Sequence, residues 1–272
     1  DRARIYYTAA LLQQNLNGVH NRNAYLKQQY DTVAFFATTL QMYQHLMRCD
    51  SVDMIPNAKG VVKRKYQSDV ASLMKKHRKN LLNGGIFQMK KKAYPVAFDY
   101  MDAYLKTNRN PKDTIIPRVS YWATICAYNA KNPVNTRRYI DAAIAWADSA
   151  QKPVLQEYKA RTYVWQNDEK NWLNELNTGV KLYPEHDYFF LNLLDWYNTH
   201  HQYEQGLALA DSLAIPWALR SAILRAVFSS FTSINLSPKF GSSLNPVIVT
   251  GVDGVALPLG LPLQSSMVRT LP

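Results

Sequence analysis

Few residues in this chain are spaced for chemistry, and they fall into three groups. His200 and His201 are adjacent. Neighbouring side chains diverge in a turn, so a metal held by both would need further ligands from elsewhere. His45 and Cys49 stand four apart, a spacing that puts two side chains on one helix face. A shared metal is one reading and core packing the other, and packing is the expectation. The third group is basic. Lys63-Arg64-Lys65 and Lys75-Lys76-His77-Arg78-Lys79 lie in a segment, 59–92, with eleven Lys/Arg and a single acid, Asp69. A helix with this charge can contact phosphates without sequence preference. The stretch 61–80 has only Tyr66 as an aromatic, too few for a single-strand stacking platform. A solvated helix face is the ordinary alternative. There is no Gly-rich phosphate loop, nucleophile elbow or pair of Cys-x-x-Cys motifs. The expectation is therefore no catalysis, no cofactor and no metal.

The elements that carry these residues read as helices. The 272 residues are 47% hydrophobic and 19% charged, which suits a globular chain. Glycine is scarce at 10, as in helical proteins. The net charge is +12, and segment 59–92 supplies nearly all of it. Cys49 and Cys126 both sit at apolar positions of predicted helices and read as buried free thiols. No stretch is long and apolar enough to cross a membrane. The chain begins at Asp1 and not at Met, which reads as a processed or truncated product and leaves its compartment open.

One stretch, 154–215, contains the same pattern twice. Tyr163 and Tyr197, Ala160 and Leu194, and Leu176 and Ala210 are three pairs with one and the same offset. Each copy reads as two short amphipathic helices joined by a polar turn. In the first, Ala160 and Tyr163 precede Trp172, Leu176 and Gly179, and Pro184 ends the second helix. In the next, Phe190, Leu193, Leu194 and Tyr197 precede Tyr203, Gly206, Ala210 and Leu213. Tyr163 and Tyr197 are expected in equivalent, buried places.

A helix pair repeated with a period of about 34 residues resembles the tetratricopeptide repeat (TPR) family, of bacterial type. The resemblance implies an all-α fold, a right-handed α-solenoid of about five TPR-like helix pairs, because one pair cannot bury its apolar face alone. Read outward from 154–215, the repeat domain spans 1–215 with a basic insertion at 51–79. An incomplete unit opens the chain: Ala3, Tyr7, Ala10 and Leu11 share a helix face, and Asn15 to Asn21, with Gly18, form a polar connection. A short helix at Ala24 to Leu26 and a turn at Tyr30 follow. Val33, Phe36, Ala37 and Leu40 then pack, and the helix runs on through Cys49. The insertion, 61–80, reads as one more helix, and Asn83, Gly84 and Gly85 open the next repeat. A loop at 108–117 leads to another pair over 118–147. Residues 216–236 read as a capping helix and 237–272 as an atypical C-terminal tail.

The resemblance also implies a function, a non-catalytic scaffold that holds a protein or peptide in its concave groove. The family's groove positions, carried over residue by residue, are Lys79, Asn83, Arg118, Tyr121, Arg161, Trp165, Asn192 and Asn198, with Lys90, Asn129 and Asp195 beside them. Ile86 and Ile125 stand where a carboxylate clamp would place polar groups, so a polar groove is expected and not that clamp. Arg118, Tyr121, Arg161 and Trp165 suit an extended acidic or aromatic-containing peptide. The alternative partner class is a polyanion or nucleic acid bound through 59–92.

Overall fold

The computed structural model describes residues 2–108, 110 and 112–212. The expected cap at 216–236 and tail at 237–272 lie outside them. The described residues are all-α and contain no strand: α1 (Arg2–Tyr25), α2 (Thr32–Asp53), α3 (Gln67–Lys90), α4 (Tyr94–Thr107), α5 (Ile116–Asn129), α6 (Pro133–Trp146), α7 (Gln151–Val164), α8 (Glu169–Leu182), α9 (Asp187–Thr199) and α10 (Tyr203–Ser212). They divide into two units, one reaching Ala143 and the other beginning at Ile144. No described helix is long and apolar enough to cross a membrane.

Local chemistry sets the helix limits. Asp31 caps α2, accepting from the backbone N–H of Val33 and Ala34 at 2.8 and 3.0 Å. Asp168 caps α8 by accepting from Asn171 N–H at 3.2 Å. Prolines sit in the first turns of α4, α5 and α6, where their missing N–H costs nothing. The reversals from α1, α3, α5, α7 and α9 share one device. Lys27, Lys92, Lys131, Asn167 and His201 each take left-handed backbone, with φ between 54° and 57°. The following residue then donates its N–H back into the helix that is ending: Gln28 to Asn23, Ala93 to Gln88, Asn132 to Ala127, Asp168 to Tyr163 and Gln202 to Tyr197, at 2.8–3.0 Å. This is a Schellman closure. It ties α1 to α2, α3 to α4, α5 to α6, α7 to α8 and α9 to α10.

In the first unit α2 packs on α1, α3 and α4, and α4 on α3 and α5. Tyr43, Met42, Leu46, Tyr100 and Met101 are fully enclosed. In the second unit α8 packs on α7 and α9, and α9 on α10. Ala160, Trp172, Leu176, Phe189 and Leu193 form one cluster, and Phe190, Leu194 and Ala210 another. Cys49 and Cys126 are buried free thiols. Burial first, then Asp53 and Asp50, pushes Cys49 up to about 11, and burial pushes Cys126 up to about 12. Neither is a poised nucleophile.

Four expectations about the elements are corrected. The connection at Asn15 to Asn21 does not exist, because α1 runs unbroken from Arg2 to Tyr25. Asn17 is buried and is the reason: its side-chain N–H donates to Phe35 O, Thr38 Oγ1 and Thr39 Oγ1 of α2 at 2.8, 3.2 and 2.9 Å. A polar residue that reads as a turn is here the hydrogen-bonded centre of a helix–helix contact. Second, residues 61–66 are not helical, and α3 starts at Gln67. The backbone N–H of Tyr66 donates to Asp53 Oδ2 at 2.8 Å, and Arg64 pairs with Asp50, which holds this segment across the end of α2. Third, Asn83, Gly84 and Gly85 lie inside α3, and a repeat does not open there. Fourth, Val33 is 45% exposed, and Phe35 takes the packing place on α2. Tyr163 and Tyr197 do occupy equivalent places, since both carbonyls accept the reversal bond, but their side chains are half-buried.

Three substitutions test this account by urea or thermal unfolding. Gly18→Ala should stabilise by about 0.5–1 kcal/mol, because an added Cβ meets nothing within 4 Å and α1 is continuous there. Gly179→Ala should destabilise by about 1–3 kcal/mol, because the Cβ would drive into the ring of the fully buried Phe189. Lys92→Gly should stabilise by about 0.5–1 kcal/mol by relieving left-handed backbone at φ 57°.

Candidate functional site

Each unit carries four of the eight expected groove residues. Lys79 and Asn83 are on α3, and Arg118 and Tyr121 on α5. Lys79 is exposed, Asn83 and Arg118 are half-buried, and Tyr121 is only 4% exposed. Tyr121 is therefore a packing residue of α5 and presents no ring to a ligand. Arg161 is on α7 and Trp165 is its C-terminal cap residue, while Asn192 and Asn198 are on α9. These four are half-buried.

The second unit brings α7 and α9 together through side chains. Glu157 of α7 accepts from Arg161 Nε at 2.6 Å, and its other oxygen meets His186 Nε2, just before α9, at 2.7 Å. The Arg161 guanidinium lies over the ring of Tyr188 of α9, 4.6 Å from its centroid. The Tyr188 hydroxyl receives the indole N–H of Trp172 at 3.4 Å. Burial alone would raise the Glu157 carboxyl. The hydrogen bonds from His186 and Arg161 and their charges outweigh burial and hold it below the usual range. Arg161 is thus engaged by Glu157 and Tyr188 and ties α7 to α9. Only the i, i+4 spacing of Glu157 and Arg161 signalled this pair in advance.

The second helix of this contact is α9. Its core side is Phe189, Phe190, Leu193 and Leu194, all buried. With about 3.6 residues to a turn, Tyr188, Asn192 and Asp195 fall on the other side, and Asn198, one turn beyond the buried Leu194, falls at its edge. Nevertheless no residue from Tyr188 to Asn198 is exposed. Asn192 Nδ2 donates back to Tyr188 O at 2.6 Å. At the end of the helix, His200 stacks on Trp196 with centroids 4.2 Å apart. The Trp196 indole N–H donates to Glu169 Oε1 at 2.5 Å, and His201 Nδ1 meets the Tyr203 hydroxyl at 2.6 Å. Both histidines are therefore engaged in turn packing. No group of three metal-ligating side chains occurs among the described residues.

The basic segment is less uniform than its sequence. Within 75–79, His77 is 8% exposed and faces the core. Arg78 turns in to donate to Asn108 Oδ1 at 2.9 Å and Thr107 O at 3.0 Å, over the ring of Tyr104. Lys75, Lys76 and Lys79 remain exposed on α3. A cavity in the same unit is lined by Arg2, Lys63 and Lys65 with Val52, Ile55 and Val61.

No protein-family model, curated protein or solved structure matches this chain.

The Glu157 contacts carry a pH prediction. A carboxyl held below its ordinary 4.5 contributes stability fully above that value and loses it as pH falls through the lower folded value. The melting midpoint of the chain should drop over that acid window, and Glu157→Gln should flatten the drop. Glu157→Ala at neutral pH should cost about 1.5–3 kcal/mol by leaving Arg161 and His186 without their acceptor.

Proposed function

We propose that this chain is a non-catalytic scaffold of TPR-like helix pairs, arranged as a right-handed α-solenoid, that binds a protein or peptide partner along the first helices of its pairs. The observation that carries the reading is the polar side of α9. It lies opposite the core yet is half-buried throughout, and Glu157, Arg161, His186 and Tyr188 tie it to α7. A polar surface withdrawn from water and braced by a second helix offers enclosure and fixed hydrogen-bonding groups to an extended segment.

Repetition supports the solenoid part of the proposal. The left-handed residues Lys131, Asn167 and His201 recur at nearly equal intervals. Repeats of one supersecondary unit at near-constant period are the signature of stacked arrays. The sealed thiols and engaged histidines support a role without chemistry. The alternative, binding of a polyanion or nucleic acid through 59–92, is weakened by the commitments of Arg64, His77 and Arg78. It keeps the exposed Lys59, Lys63, Lys65, Lys75, Lys76, Lys79, Lys90, Lys91 and Lys92 as its contact set.

Affinity capture with the full chain, followed by mass spectrometry, should recover a protein partner. Asn192→Ala and Trp165→Ala should each weaken its binding by about 1–2 kcal/mol. Reversing the charge of Lys75, Lys76 and Lys79 should change affinity little, and mostly at low salt. The opposite ranking, with a steep salt dependence and recovered nucleic acid, would move the site to α3.

A further inference from the structure

We propose that Asp195 and Asn198 form an acceptor pair for a cationic side chain, a lysine or arginine of an extended peptide held along α9. The inference rests on the groove reading above and narrows it to a partner chemistry opposite to the one the sequence suggests.

Asp195 and Asn198 are three apart on α9, so their side chains are neighbours on one face, with Cβ atoms about 5–6 Å apart. Asp195 lies on the side away from Phe189, Phe190, Leu193 and Leu194, and Asn198, one turn beyond Leu194, lies at the edge between that side and the core. Asn198 Oδ1 is sealed from solvent and receives no donor from a described residue. Asp195 is half-buried, and its carboxylate has no hydrogen bond or ion pair to a described residue. Burial raises its carboxyl above the usual range, and no neighbouring charge offsets that. A withdrawn acceptor without a donor costs free energy, more so when it carries charge. Here two such groups sit side by side.

The cation on the same wall cannot answer them. Arg161 stands one repeat period before Asp195, at the equivalent place on α7. It is held by Glu157 at 2.6 Å and by the Tyr188 ring. Among the described residues, no positive donor reaches this part of α9. An ammonium or guanidinium supplies several N–H groups and the compensating charge together. An acidic peptide would add acceptors to acceptors.

The global charge makes the test discriminating. A chain of net charge +12 attracts acidic peptides non-specifically and repels basic ones, so binding of a basic peptide demands a local site. The probe is a fluorescein-labelled octapeptide with two lysines among Ala and Gln, compared with its Glu-for-Lys counterpart, by fluorescence anisotropy on the full chain at physiological salt. The Lys peptide should bind, and Asp195→Asn should weaken it at least tenfold, with Asn198→Ala weakening it severalfold. Asp195→Asn should also raise the melting midpoint, because it removes an uncompensated charge. Lost binding in a more stable protein separates recognition from misfolding. A lower midpoint would show that Asp195 already has a partner within the chain, and would overturn the inference. Equal affinity of wild type and Asp195→Asn would overturn it as well. Tighter binding of the Glu peptide, sensitive to Asn192→Ala and not to Asp195→Asn, would overturn it while leaving the groove reading in place. If neither peptide binds in a manner that depends on any α9 residue, both fall.

Discussion

A helix of about fourteen residues is marginal alone, because one turn must be nucleated at a loss before the rest propagates. Everything in this fold follows from how such helices are made to lie against a neighbour. The solution is the tight reversal with one residue in left-handed backbone. Lys27, Lys92, Lys131, Asn167 and His201 take that conformation without being glycine, a strain of roughly 1–2 kcal/mol each. The long hydrogen bond across each turn and the packing that follows offset it. The close approaches depend on the same device. Gly179 lets Phe189 lie against the α8 backbone, and Gly84 and Gly85 leave room for Tyr100 and Met101.

Once the pairs are fixed, the polar side chains sort into those that brace and those that wait. Asn17 ties α1 to α2, Asp102 of α4 takes Arg138 and Tyr139 of α6 at 2.9 and 2.8 Å, and Glu175 takes Gln156 and Lys159 across α7 and α8 at 2.6 and 3.3 Å. Glu157 belongs with them. Each answers a buried group with a partner of opposite character, as withdrawn polar groups require. Asp195 and Asn198 of α9 have no such partner among the described residues. Withdrawn acceptors without donors are unfavourable for the isolated fold and useful to a protein that completes itself with a ligand.

The helical class and the pairing were legible because they rest on local signals. Pro133 and Pro184, the apolar spacing of Ala160, Leu176, Leu194 and Ala210, and their constant offset all survive translation into structure. What failed to read through was polar residues with tertiary roles. Asn17 beside Gly18 has turn composition, and only its distant partners on α2 make it helical. His77 and Arg78 look like part of a solvated basic run, yet one is buried and the other is bound to Asn108 and Thr107. Tyr121 fits the family's groove pattern but is enclosed within α5 packing. Arg161 stands at a position expected to face a groove, while its engagement with Glu157 and Tyr188 depends on α9 lying alongside. Composition and spacing identify a face; partners across a fold decide whether it is free.

The central claim is that a partner lies along α7 and α9 in the second unit. Hydrogen exchange of the full chain, read peptide by peptide with and without the partner recovered by affinity capture, tests it most directly. The account predicts slowed exchange concentrated in α7 and α9, including the backbone around Arg161 and Asp195, with segment 59–92 unchanged. Protection confined to 59–92, with α7 and α9 exchanging as in the free chain, would contradict it.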